Sequence, residues 1–92
     1  MTVTIQIGNS DDKLTQPEWA AYVLAMRNHI LTYAAQVHFF GAPANWERWQ
    51  NVAWVVEVSE NNTPGLKQAI EIVRKTFRQE SVAWTDGTTE LI

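Results

Sequence analysis

The chain has 92 residues, no cysteine and a formal net charge of −3, with seven Lys and Arg against ten Asp and Glu. This composition excludes disulfides, thiolate metal sites and cysteine nucleophiles, and it lacks the basic clusters that bind duplex nucleic acid. No apolar stretch approaches the ~20 residues that span a bilayer, and the first seven residues alternate instead of forming a secretion signal. We therefore expect a single cytoplasmic domain with no membrane contact.

Strict alternation predicts a first strand with Val3, Ile5 and Ile7 on its buried face. A polar loop, residues 8–14, ends this strand. Thr15 and Glu18 then form a capping-box pattern that predicts the start of a first helix. The apolar stripe of this helix is predicted to consist of Trp19, Val23, Met26, Ile30 and Tyr33, with Tyr22 at its flank.

The rest of the chain contains the other three strands and a second helix. Short apolar runs predict strands over residues 36–40, 51–59 and 81–85. Thr63 is the predicted N-cap of the second helix, and Asp86 followed by Gly87 predicts a turn. The stripe of the second helix is predicted to be Leu66, Ala69, Ile70, Val73 and Phe77.

The element order β-α-β-β-α-β allows very few architectures, because two helices with one apolar face each must pack on a single face of the sheet. We expect one α+β domain over residues 1–92, a ferredoxin-like sandwich with a four-stranded antiparallel sheet and two helices on one face. The side chains expected to face the helices are Val3, Ile5, Ile7, Val37, Phe39, Val52, Trp54, Val56, Val58, Val82 and Trp84. The opposite, outer face is expected to carry Thr4, Gln6, His38, Phe40, Ala53, Val55, Glu57, Ala83 and Thr85.

This half-apolar outer face favours a homodimer, with Phe40 and Val55 in the contact. The segment that contains Trp46, Arg48 and Trp49 is the hardest part of the chain to predict. Its two Trp residues are expected to pack over the open end of the sandwich, to bind an unidentified protein, or to stack on a ligand, in that order. The sequence therefore favours a small non-enzymatic interaction module that acts as a homodimer.

The alternative is a small-molecule sensor or an enzyme of the dimeric α/β-barrel type. In that case His38, Glu57, Tyr22 and Tyr33 would supply the polar contacts to a ligand, and His38 is expected near Glu57 of the neighbouring strand on the outer face. Single-stranded nucleic acid binding on the sheet is disfavoured, because the central strands lack stacking aromatics.

Catalytic and metal-binding patterns are missing from the sequence. Asp11 and Asp12 offer too few oxygen ligands for a divalent cation, and we interpret them as part of a solvated turn near a helix N-terminus. The sequence contains no nucleophile elbow, phosphate-binding loop or dinucleotide fingerprint, so no cofactor is predicted.

Two segments, residues 7–19 and 81–90, resemble short uncharacterised reading frames of actinobacteria and their phages. No known activity accompanies this resemblance, and it transfers no functional residue. It implies an accessory protein of a phage or mobile element.

Overall fold

The computed structural model describes residues 1–9, 13–43 and 50–92, and in these ranges the elements follow the expected order. The strands are β1 (Thr2–Gly8), β2 (Gln36–Gly41), β3 (Asn51–Glu57) and β4 (Ala83–Gly87), and the helices are α1 (Gln16–Tyr33) and α2 (Thr63–Thr76). The strands form one antiparallel sheet in the order β2-β3-β1-β4. This is the ferredoxin-like sandwich, and the predicted fold class is confirmed.

The core lies between the sheet and the two helices. Alternate residues of the central strands β1 and β3 point into it, and Val3, Ile5 and Val56 have no exposed surface. The remaining buried members of this cluster are Ile7, Leu14, Tyr22, Met26, Ile30, Val52, Trp54, Val58, Leu66, Ile70 and Val73. Because α1 and α2 both pack on this face of the sheet, neither of them covers its other face.

Helix α1 begins with the predicted capping box. Thr15 Oγ1 accepts a hydrogen bond from the Glu18 backbone N–H at 3.3 Å, and Glu18 Oε1 accepts one from the Thr15 N–H at 3.0 Å. The buried residues of the helix are Tyr22, Met26 and Ile30, which recur every four residues. Tyr22 therefore belongs to the buried stripe as its first member, and its predicted position at the flank was wrong.

Helix α2 begins at Thr63, and Asn62 occupies the N-cap position that the sequence assigned to Thr63. The Thr63 hydroxyl donates instead to the Ser59 carbonyl oxygen at 2.9 Å. The two helices approach closely at Gly65, where a Cβ atom would lie 2.7 Å from Tyr33 Cε1. Only glycine fits between the helices at this point without displacing the tyrosine ring.

The end of β4 differs from its prediction. Asp86 pairs with Val3 and Gly87 pairs with Thr2, so both residues belong to the strand and do not form a turn. Asp86 and Gly87 remain in the strand although their sequence favours a turn, because pairing with β1 continues to the end of that strand. In the described part of the chain, neither helix combines the length and hydropathy needed to cross a bilayer.

Candidate functional site

The outer face of the sheet carries two central rows of side chains that neither helix covers. Across the strands from β2 to β4, one row is Phe39, Val55, Thr4 and Thr85, and the next is Gly41, Ala53, Gln6 and Ala83. We call these eight residues the central outer face. Its β2–β3 side is apolar, and Phe39 is 56% exposed there. Val55 lies at the centre as predicted, between Phe39 and Thr4.

Phe39 lies on the outer face of the sheet and Phe40 on the helix side, which is the opposite of their predicted positions. The register between β2 and β3 shifts by one residue between Val37 and Phe39, so that Phe39 pairs with Val55 and Phe40 pairs with Trp54. The Phe40 ring accordingly contacts the Trp54 ring at a centroid distance of 5.6 Å on the helix side of the sheet. The extra residue, His38, interrupts the alternation in the manner of a β-bulge. Phe39 thus replaces Phe40 in the predicted contact surface.

One end of the outer face contains a polar group centred on Glu57. Its Oε1 atom accepts from the Thr2 hydroxyl at 2.5 Å and lies 3.3 Å from His38 Nε2, while Oε2 lies 2.9 Å from the Met1 amino nitrogen. We call these four residues the Glu57 cluster. The hydrogen bonds from Thr2, the Met1 amino group and His38 lower the pKa of Glu57 to about 2. The predicted pairing of His38 with Glu57 is therefore present.

This arrangement limits what Glu57 can do chemically. A carboxylate with so low a pKa is a weak base and stays ionised at neutral pH, so it is poorly suited to proton transfer. Both of its oxygens already accept hydrogen bonds within the cluster. Glu57 is suited to orienting the imidazole of His38 and to linking strands β1 and β2 to β3 through side-chain hydrogen bonds.

An open depression of about 760 Å³ lies beside the Glu57 cluster. Besides the cluster, its lining residues are Val55, Glu60, Asp86, Gly87, Thr88 and Thr89. The depression thus joins the polar end of the outer face to the segment that follows β4. No three His, Asp or Glu side chains in the described ranges are grouped so that they could hold a metal ion.

The two tyrosines predicted as ligand contacts lie elsewhere. Tyr22 is completely buried between the sheet and α1, and its hydroxyl has no hydrogen-bond partner in the structure. Tyr33 lies at the end of α1 against Gly65 of α2. Of the four predicted contacts, only His38 and Glu57 come together, because the tyrosines point to the opposite face of the sheet.

The interaction residues Trp46, Arg48 and Trp49 lie outside the described residues, as do Asp11 and Asp12. Asn9, which is 4% exposed, makes hydrogen bonds to described residues that follow each of these two segments. Its amide nitrogen donates to the Leu14 carbonyl oxygen at 3.0 Å and to Gln50 Oε1 at 3.1 Å. This role of Asn9 was not predicted from the sequence, because it depends on residues 9, 14 and 50 converging at one end of β1.

No family model matches the chain, and no curated protein matches it. Among solved structures, the chain is similar to a dimeric ferredoxin-like protein of unknown function from Thermobifida fusca. The two share 9% sequence identity with a TM-score of 0.61, and the alignment covers 91% of this chain and 86% of that protein. At so low an identity, the similarity establishes the fold and no activity.

Proposed function

We propose that this protein is a non-enzymatic interaction module that acts as a homodimer, with the outer faces of two sheets packed against each other. The proposal rests mainly on the central outer face, where the exposed ring of Phe39 lies beside Val55 and Ala53. An exposed aromatic ring beside aliphatic side chains on an uncovered sheet face is a common site of contact with a partner. The dimeric state of the T. fusca protein, which has the same fold, supports self-association of this chain.

The shape of the surface suits a contact between two identical copies. A twofold axis near Val55 brings the same residues of both copies together, and such a contact closes on itself. The apolar side of each face, Phe39 and Val55, then contacts its symmetry mate. The Glu57 cluster remains at the rim, where water can reach its charged groups.

Sedimentation equilibrium of the wild type and of Val55→Asp tests the dimer. We expect a wild-type dimer at micromolar concentration and an increase of about 100-fold or more in the Kd of the variant, because a carboxylate buried in an apolar contact has no partner. Ile72→Asp is the matched control, since Ile72 is an exposed apolar residue of α2, away from the outer face. A monomeric wild type, or a Val55→Asp dimer of unchanged Kd, contradicts the proposal.

Binding of a further protein through Trp46, Arg48 and Trp49 is a separate part of the proposal. It is supported by the aromatic composition of residues 46–49, because large rings dominate the binding energy of protein interfaces. Joint substitution of Trp46→Ala and Trp49→Ala is expected to remove a band from a pull-down. An unchanged profile from a folded double variant refutes this part and leaves the dimer untouched.

The second candidate function is a small-molecule sensor or an enzyme of the dimeric α/β-barrel type. The observation in its favour is the depression of about 760 Å³ with His38 and Glu57 on its wall. A thermal-shift screen with small amines, carboxylates and phosphates tests it. We expect a compound that stabilises the wild type and not His38→Ala; stabilisation that is equal in both proteins argues against this site.

A further inference from the structure

The segment after β4, residues 88–92, leaves the sheet on the side of the outer face. Thr89 Oγ1 lies 3.2 Å from Thr2 Oγ1, and the same Thr2 hydroxyl donates to Glu57 on the outer face. Thr88 and Thr89 also line the depression that contains Val55. We call residues 88–92 the post-β4 arm. Its first two residues are therefore anchored at the rim of the surface proposed for dimerisation.

The far end of the arm is apolar, and no residue of the described ranges covers it. Leu91 is 93% exposed, and Ile92 is fully exposed. Other large apolar side chains on the surface, such as Leu24 and Ile72, are only 55% and 59% exposed, because their own helices cover part of them. Two adjacent apolar side chains that are almost completely hydrated have much more surface to bury in a contact than these helical residues.

The size of the sheet also calls for additional contact surface. With strands ~4.8 Å apart and a rise of ~3.3 Å per residue, four strands of this length present a footprint of roughly 400 Å². A stable protein–protein contact buries about 800 Å² on each partner. The flat footprint of the outer face is about half of that accessible area, so a further segment would enlarge the contact. Within the described residues, the post-β4 arm starts at the rim of the outer face and ends in two apolar side chains.

We propose that the post-β4 arm of each protomer reaches across to the other copy and packs Leu91 and Ile92 against that copy's outer face. This inference rests on the proposed dimer and specifies how its contact is completed. Each arm extends the contact beyond the edge of its own sheet, and the twofold symmetry makes the exchange reciprocal. The partner of this segment is a second copy of this chain.

Joint substitution of Leu91→Ser and Ile92→Ser tests the contribution of the arm to the affinity. We expect the Kd of the dimer to rise at least about 100-fold, because the two arms together lose four half-buried side chains and each corresponds to about three- to tenfold in affinity. The matched control is the pair Leu24→Ser and Ile72→Ser, which is expected to leave the Kd unchanged. A variant Kd equal to that of the wild type overturns the arm contact while leaving the face-to-face dimer in place. A monomeric wild type overturns the dimer and the arm contact together.

Disulfide trapping tests whether the arm reaches the other copy or its own sheet, since the chain has no natural cysteine. Protein carrying only Leu91→Cys is mixed with protein carrying only Phe39→Cys and oxidised, with a tag on one of them. We expect a disulfide-linked heterodimer, which forms only if the arm of one copy reaches the outer face of the other. A Leu24→Cys protein mixed with Phe39→Cys is the control for random collision. Heterodimer yields equal to this control contradict the proposal.

Discussion

Removal of the Tyr22 hydroxyl is expected to stabilise the protein. Tyr22 has no exposed surface and its hydroxyl has no hydrogen-bond partner among the described residues, so folding takes a polar group out of water without replacing its hydrogen bonds. A buried unpaired group of this kind costs about 1–3 kcal/mol. Phenylalanine keeps the ring contacts with Phe77 and Trp19, whose centroids lie 5.0 Å and 6.1 Å away. We expect Tyr22→Phe to raise the free energy of unfolding by about 1–2 kcal/mol.

Urea denaturation at pH 7 measures this difference, and thermal melting provides a second readout. A gain of 1 kcal/mol raises Tm by about 4–8 °C in a domain of this size. Tyr33→Phe is the matched control, because the Tyr33 hydroxyl is not among the buried unpaired groups of the described structure. This control is expected to change the free energy of unfolding by less than about 0.5 kcal/mol.

The pH dependence adds an independent check. Burial raises the pKa of Tyr22 to about 12, against the opposing effect of the Arg74 charge. Above pH 10 the unfolded chain releases the Tyr22 proton while the folded protein retains it, so wild-type stability falls. The phenylalanine variant lacks this loss, and its advantage should widen from about pH 10 toward pH 12. If Tyr22→Phe is neutral or destabilising at pH 7, the hydroxyl has a partner such as a bound water and the reasoning is refuted.

Three further predictions concern stability and are measured by urea denaturation. The folded-state pKa of Glu57 is lowered to about 2, so its stabilising effect is complete above its ordinary pKa of 4.5 and is lost as the pH falls toward 2. Glu57→Gln should remove this acid-dependent loss of stability, and a variant with the same pH profile as the wild type would contradict the prediction. Gly65→Ala should destabilise by about 1–3 kcal/mol through overlap with the Tyr33 ring, whereas Gly87→Ala, with no atom within 4 Å of the added Cβ, should not overlap anything. Thr15→Ala should cost about 1 kcal/mol by removing the cap of α1, and no loss would show that the cap is not needed.

Most of the fold could be predicted from periodicity, because the alternation in β1 and β3 and the stripe of α2 are local patterns that the core preserves. The errors occur where pairing with a strand that is distant in the sequence determines the local structure. Phe39 and Phe40 exchange faces because one extra residue at His38 reverses the alternation, and nothing in the sequence of β2 marks it. Asp86 has a turn-forming neighbour and still lies in a strand, because β1 offers it a pairing partner.

The predictions for the candidate site divide in the same way: a pair on neighbouring strands was predicted, and a contact between more distant parts of the sequence was missed. His38 and Glu57 were paired correctly, since neighbouring strands with matching faces bring them together. The contribution of Thr2 was missed, because it depends on the register between β1 and β3. Tyr22 was placed among the ligand contacts, although its position in the α1 stripe buries it.

The irregularity at His38 also bears on how far assembly can proceed. β2 is an edge strand, and a regular edge with unpaired backbone groups is a template on which strands of other molecules can add one after another. An extra residue breaks the even spacing of those groups and makes such growth unfavourable. Contact through the faces, by contrast, uses the same surface of both copies and ends at two molecules. The one-residue shift in β2 therefore favours a finite complex over a growing fibre.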